Sequence, residues 1–130
     1  AEPGPGWLYN NYHPLLMGLV LERATGMPVA KYLEQRLWQP AGMAAGASWS
    51  LDSEASGFEK LESGVNARVL DYARFGELMR MQGVAADGCR VLREDTVQAL
   101  TGPERAMDLS ALRPGLHYRL FWWGRRDAQW

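Results

Sequence analysis

The sequence predicts a mixed α+β fold, mainly helical, with short strands and one strand near its end. Apolar residues recur at helical spacing in four segments, whereas residues 116–123, which end in Phe-Trp-Trp, indicate a strand. Gly, Pro and Asp-Gly signals separate these segments. The chain has 130 residues, a normal size for one domain.

The first predicted helix covers residues 14–25 and is apolar on nearly every face, which is typical of a helix inside a larger body. Pro14 suits the first helical position, and Gly26 suits the left-handed position after the last turn. Tyr9 and Asn11 precede this helix. They therefore lie on a rigid approach to a helix N-terminus, where polar groups are held in fixed positions.

Three further helices are predicted at residues 28–38, 67–82 and 94–101, each with one apolar face. Asn66 is expected to cap the third of the four helices, because Asn is a favoured N-cap residue. An Asp-Gly turn predicts a short strand at residues 89–92.

The stretch 44–63 is rich in Ala, Gly and Ser and is predicted to be mostly loop, with short extended pieces at residues 47–51 and 58–61. Trp49 and Phe58 are its prominent aromatic residues. Two interpretations are open: the loop walls a substrate cleft, or it is a surface loop anchored by these two side chains.

Composition and charge narrow the function classes. The chain is 47% hydrophobic and 22% charged, as in soluble globular proteins, and its net charge of -1 predicts no nucleic-acid partner. No apolar run reaches the roughly 18 residues that span a bilayer. Cys89 is the single cysteine, so an internal disulfide is excluded and the compartment stays open. With only His13 and His117 as histidines, no metal or cofactor is expected.

Tyr9-x-Asn11 and the segments that follow it resemble the Tyr-x-Asn region of serine β-lactamase-like hydrolases. That family includes class C β-lactamases, other penicillin-binding-protein-like DD-peptidases, esterases and the amide hydrolases of nylon oligomers. Residues 37–43 resemble the family's Pro-Leu-Gly-Met turn, with Ala41 in place of Leu. The other segments that carry the resemblance cover most of the chain: residues 16–18, 22–26, 48–52, 57–60, 66–68, 71 and 73–76.

The resemblance implies a two-step acyl transfer through an acyl-enzyme. In the family a Ser attacks a carbonyl, a Lys one helical turn later helps to remove its proton, and backbone N–H groups stabilise the oxyanion. A Tyr relays the proton, and an Asn holds the Lys and the substrate amide. The resemblance therefore implies that Tyr9 and Asn11 are catalytic residues. It also implies the helical lobe of a β-lactamase-like fold, with one C-terminal strand of the central sheet.

Two family motifs are missing from this sequence. Neither Lys31 nor Lys60, its two lysines, has a Ser three positions earlier, so there is no Ser-x-x-Lys. Residues 117–119 lack the Gly of the Lys/His-x-Gly motif. We therefore expect residues 1–130 to be a single partial domain, an internal piece of a longer hydrolase that is inactive alone.

A second hypothesis is a non-catalytic helical binding module that retains the family shape. The fragment hypothesis predicts that the apolar face of the first helix, which would meet the missing Ser-x-x-Lys helix, is exposed and that the chain self-associates through it. If the parent protein is an enzyme, its substrate is a small ester or amide. β-Lactams, peptides, esters and ω-amino-acid amides use the same machinery, although residues 49–60 resemble the esterase and amide-hydrolase branch most.

Overall fold

The computed structural model describes residues 8–102 and 106–126. The mixed α+β class is confirmed. The helices are α1 (Tyr12–Thr25), α2 (Val29–Leu33), which continues as a π-helical segment (Glu34–Trp38), α3 (Val69–Arg80) and α4 (Glu94–Thr101). The strands are β1 (Ser48–Trp49), β2 (Val65–Asn66), β3 (Met107–Asp108), β4 (Leu116–Arg119) and β5 (Trp122–Arg125).

The chain divides into two compact units. The helical unit, Asn10–Leu92, contains α1 to α3 and the antiparallel pair β1–β2. The hairpin unit, Ala1–Tyr9 with Arg93–Trp130, contains α4 and an antiparallel sheet in the order β3-β4-β5.

Helix α1 begins two residues earlier than predicted. Asn11 occupies the N-cap position without a side-chain cap bond, whereas Oδ1 of Asn10 accepts a hydrogen bond from the Tyr12 N–H at 2.8 Å. Pro14 is thus the third helical residue and not the first. A proline is tolerated there because the N–H groups of a helix's first turn have no partner within the helix.

Helix α1 has one buried residue, and that residue is small. Gly18 is its buried residue, and a Cβ added there would lie 2.7 Å from Cδ1 of Leu61. Large apolar side chains elsewhere on α1 are exposed, with Leu16 at 58% and Val20 at 51%. The first helix therefore exposes apolar side chains, as predicted. Its C-cap, Gly26, has φ 70°, as predicted.

The predicted helix at residues 28–38 is present as α2 and its π-helical continuation. Glu59, which is 5% exposed, reaches its first turn: Oε1 accepts a hydrogen bond from the Ala30 N–H at 3.2 Å. A carboxylate is favourable there because the first amides of a helix lack partners and carry partial positive charge.

The third helix is shorter than predicted, and its cap prediction is wrong. Arg68, not Asn66, is at the N-cap position of α3. Asn66 belongs to β2, where it pairs with Ser48, and its side-chain amide donates a hydrogen bond to the Gly64 carbonyl at 2.9 Å. Strand pairing thus holds the backbone of Asn66 extended before the helix begins.

Two predicted strand features are also wrong. Residues 89–92 contribute only an isolated bridge between Val84 and Arg90. Residues 116–123 are not one strand, because β4 turns back into β5 through Leu120 and Phe121. Their φ angles are 46° and 68°, and two successive positive φ values are what a type I′ hairpin turn requires. Such turns usually carry Asn-Gly, so Leu-Phe provided no turn signal.

Candidate functional site

Tyr9 belongs to the hairpin unit and is part of an aromatic cluster, which we define as Tyr9, Tyr118 and Trp123. The centroid of its ring lies 5.6 Å from that of Trp123 and 6.3 Å from that of Tyr118. The Tyr118 and Trp123 centroids are 4.8 Å apart. These are favourable tilted and edge-to-face arrangements. Tyr9 keeps 51% of its surface exposed, so its neighbours cover about half of the residue.

Asn11 begins the helical unit, and its side chain is exposed. It occupies the N-cap position of α1, yet its carboxamide makes no cap bond. Asn10 serves the first turn instead. Within the described part of the chain, the Asn11 amide therefore remains open to an external partner.

The two predicted site residues thus have separate surroundings, one in each compact unit. Tyr9 and Asn11 are two positions apart, and a fully extended chain spans at most about 3.6 Å per residue. Covalent connection alone therefore keeps their Cα atoms within roughly 7 Å.

Both lysines of the chain are engaged in ion pairs. Lys31 Nζ lies 2.6 Å from Glu34 Oε2, one helical turn away. Lys60 Nζ lies 3.6 Å from Glu62 Oε1. Neither lysine is positioned with a serine on one face of a helix, which agrees with the missing Ser-x-x-Lys motif.

Ser56, four positions before Lys60, lies in a turn and not on a helix. Its hydroxyl donates to Oδ1 of Asp52 in a short hydrogen bond and accepts one from the Ser53 hydroxyl at 2.9 Å. Gly57 follows with φ 64°, which takes the chain away from helical geometry. Ser56 is therefore committed to its own turn.

Asp71 is a buried polar anchor that sequence reasoning did not identify. It is fully buried, and Oδ1 accepts hydrogen bonds from the Ala44 N–H at 2.8 Å and from Arg74 at 2.6 Å. The Ala44 amide and then the Arg74 guanidinium hold the pKa of this carboxyl below its ordinary value. The bond to Ala44 fastens α3 to the segment after the π-helix, and Arg74 pairs with the same carboxyl oxygen from one turn further along α3.

Trp49 anchors the loop in which it lies. Its indole N–H donates to the carbonyls of Lys60, at 3.0 Å, and Ser63, at 2.9 Å. Trp49 also lines a cleft of about 420 Å³, together with Trp38 and Leu33. The loop is therefore both anchored and part of a cleft wall, but neither Tyr9 nor Asn11 lines that cleft.

No group of three or more His, Cys, Asp or Glu side chains within residues 8–102 and 106–126 could hold a metal ion. None of the helices in those ranges combines the length and the apolar character that crossing a membrane requires.

Comparisons with known proteins agree with the resemblance. A family model described as Beta-lactamase matches residues 1–128. Over 42 residues the chain is 38% identical to Penicillin-binding protein 4* of Bacillus subtilis (strain 168). That stretch covers 32% of this chain and 9% of the relative, so the two proteins are compared over a small part of the relative's length.

Proposed function

Because this chain belongs to the β-lactamase family, we propose that it supplies the Tyr-x-Asn part of a serine hydrolase site. Tyr9 is the proton relay, and Asn11 holds the partner lysine and the substrate amide. One observation carries the proposal: the helix leaves the Asn11 carboxamide uncommitted while Asn10 takes the capping bond. The half-exposed ring of Tyr9 is accessible as well.

The proposed chemistry is acyl transfer to a serine. That serine belongs to a Ser-x-x-Lys motif, which residues 1–130 lack. As the serine oxygen attacks the carbonyl, its proton passes to the relay, and the Tyr9 oxygen returns a proton to the leaving group. A tyrosine needs a nearby cation to accept a proton near neutral pH. The Asn11 oxygen suits an ammonium donor, and its N–H group suits a carbonyl of the substrate.

The 130 residues alone are proposed to be inactive. Lys31 and Lys60 are both paired with carboxylates, and neither follows a serine at the family's spacing. We expect the purified chain to hydrolyse neither β-lactams nor esters. Turnover that is lost on Tyr9→Phe substitution would contradict this expectation.

Labelling of the full gene product tests the proposal, with a fluorescent penicillin and a fluorophosphonate as probes. Tyr9→Phe should slow acylation by about 100-fold or more, since general acid–base groups contribute that much. Asn11→Ala should also slow it. Tyr12→Phe is the matched control, because Tyr12 is a neighbouring tyrosine with 75% exposure and no proposed role. Equal labelling of the Tyr9→Phe and wild-type proteins would refute the relay assignment.

The alternative is a non-catalytic helical binding module that retains the family shape. The exposed apolar side chains of α1 do not separate the two, because a hydrolase fragment is expected to expose them as well. The flanking gene sequence separates the two. A Ser-x-x-Lys upstream and a Lys/His-x-Gly downstream support the enzyme, whereas their absence supports the module. For the enzyme, we propose an ester or amide substrate, because residues 49–60 resemble the esterase and amide-hydrolase branch.

A further inference from the structure

We propose that Tyr118 and Trp123 are positioning residues that hold the ring of Tyr9 against the β4–β5 hairpin in the orientation that proton relay needs. The inference rests on the proposed role of Tyr9. It assigns the hairpin a function that neither the sequence pattern nor the family match assigns.

The three rings of the aromatic cluster contact one another in pairs. Tyr118 and Trp123 face each other directly across the β4–β5 ladder, so their side chains project from the same face of the sheet. Tyr9 contacts both, at centroid distances of 6.3 Å and 5.6 Å. Two ring contacts restrict a side chain more than one contact does, because rotation about the Cα–Cβ bond of Tyr9 would move its ring away from its neighbours.

The β4–β5 hairpin has a fixed register and is paired on its other edge as well. The Leu120–Phe121 turn sets its register, and β3 pairs with β4 along the other edge, placing Met107 opposite Tyr118. A Cβ added at Gly124 would overlap the ring of His117, which shows how closely that ring lies over the strand beside Trp123. Tyr9 lies outside the strands, but the two rings that it contacts are fixed on a packed strand pair, which holds side chains more accurately than a loop does.

The pKa of Tyr118 agrees with a supporting role for Tyr118 and a relay role for Tyr9. Burial, and then the neighbouring Tyr9, raise the pKa of Tyr118 above its ordinary value. Tyr118 is therefore harder to ionise than an ordinary tyrosine and suits a supporting role. Tyr9, with half its surface exposed, is the more accessible of the two tyrosines.

The first test measures the geometry without activity. In the 130-residue chain, nuclear Overhauser contacts are expected between the ring protons of Tyr9 and the indole protons of Trp123. Tyr9→Phe and Trp123→Phe assign these signals. Absence of any such contact in a folded wild-type chain would overturn the proposal, whatever the activity of the gene product.

The second test measures acylation of the full gene product by the penicillin probe. Trp123→Leu should lower the second-order acylation rate about tenfold and shift its pH profile, because the relay is less well oriented. Trp123→Phe, which keeps a ring, should restore most of the rate. Phe121→Leu is the matched control, because it changes an aromatic residue of the same hairpin that is half exposed and outside the cluster. It should leave the rate unchanged.

The outcomes distinguish the two proposals. A wild-type rate and pH profile in Trp123→Leu, alongside slow acylation in Tyr9→Phe, refute positioning and leave the proposed function intact. A wild-type rate in Tyr9→Phe refutes the proposed function itself. If Trp123→Leu does not fold, Tyr118→Leu takes its place in the acylation test. The Overhauser contacts of the wild-type chain still test the positioning proposal, because their absence would overturn it.

Discussion

Oδ1 of Asn10 lies 2.8 Å from the backbone nitrogen of Tyr12 and accepts its hydrogen bond. Asn10 therefore satisfies the start of α1, although the next asparagine occupies the N-cap position. Asn10 thus stabilises the helix, whereas the side chain of Asn11 does not. Substituting each asparagine in turn therefore separates an effect on stability from an effect on function.

Asn10→Ala should lower the free energy of unfolding by about 1 kcal/mol, because loss of an N-terminal capping bond typically has that effect. Asn11→Ala should leave stability nearly unchanged, since its side chain makes no cap bond. Thermal unfolding followed by circular dichroism measures both variants. The opposite order of stabilities would contradict the assigned roles.

Asp71→Asn should destabilise the chain at neutral pH, because it weakens the bonds to Ala44 and Arg74 in a fully buried place. The pKa of Asp71 lies below the ordinary value of 3.8, so in acid the unfolded chain takes up the proton first. The contribution is therefore present above about pH 4 and is lost as the pH falls further.

The measurement is the melting temperature of wild type and Asp71→Asn from about pH 7 to about pH 3, within which carboxyl groups titrate. The difference should be several degrees at neutral pH and should narrow in acid. Asp95→Asn is the control, because its pairing with Arg93 is exposed and contributes little. A difference that stays constant across the range would count against the carboxylate as the cause.

Gly124→Ala should destabilise the hairpin unit by about 1–3 kcal/mol, the usual effect of overpacking. The added Cβ would overlap the buried ring of His117. The same change made in a His117→Ala background should have a much smaller effect, since the ring is gone. Gly76→Ala, in open space on α3, is the control and should be neutral or stabilising. Additive effects of the two substitutions would show that the ring is not the obstacle.

The purified chain should self-associate, because α1 presents large exposed apolar side chains. Leu16→Glu with Val20→Glu should shift the chain toward monomer in sedimentation velocity. Ala24→Glu adds the same kind of charge to an exposed position of the same helix without removing a large apolar group. Equal association of all these proteins would place the contact elsewhere.

Local signals predicted the helices well and their starts poorly. Residues 94–101 form α4 as predicted, and Gly26 ends α1 in the left-handed conformation. Asn66 failed as a cap because pairing with β1 holds it in a strand. The turn at Leu120–Phe121 was missed because neither residue type favours positive φ, so the strand ladder and not local preference imposes that conformation.

By itself the sequence determined the α+β class, the four helical segments, the presence of Tyr-x-Asn before the first helix and the absence of Ser-x-x-Lys. Those properties depend on spacing along the chain. The tertiary structure alone decided that Asp71 anchors Ala44 and that Trp123 lies against Tyr9, because their partners are 27 and 114 positions away. No pattern within one helix or strand specifies such a contact. It arises only when packing brings distant segments together.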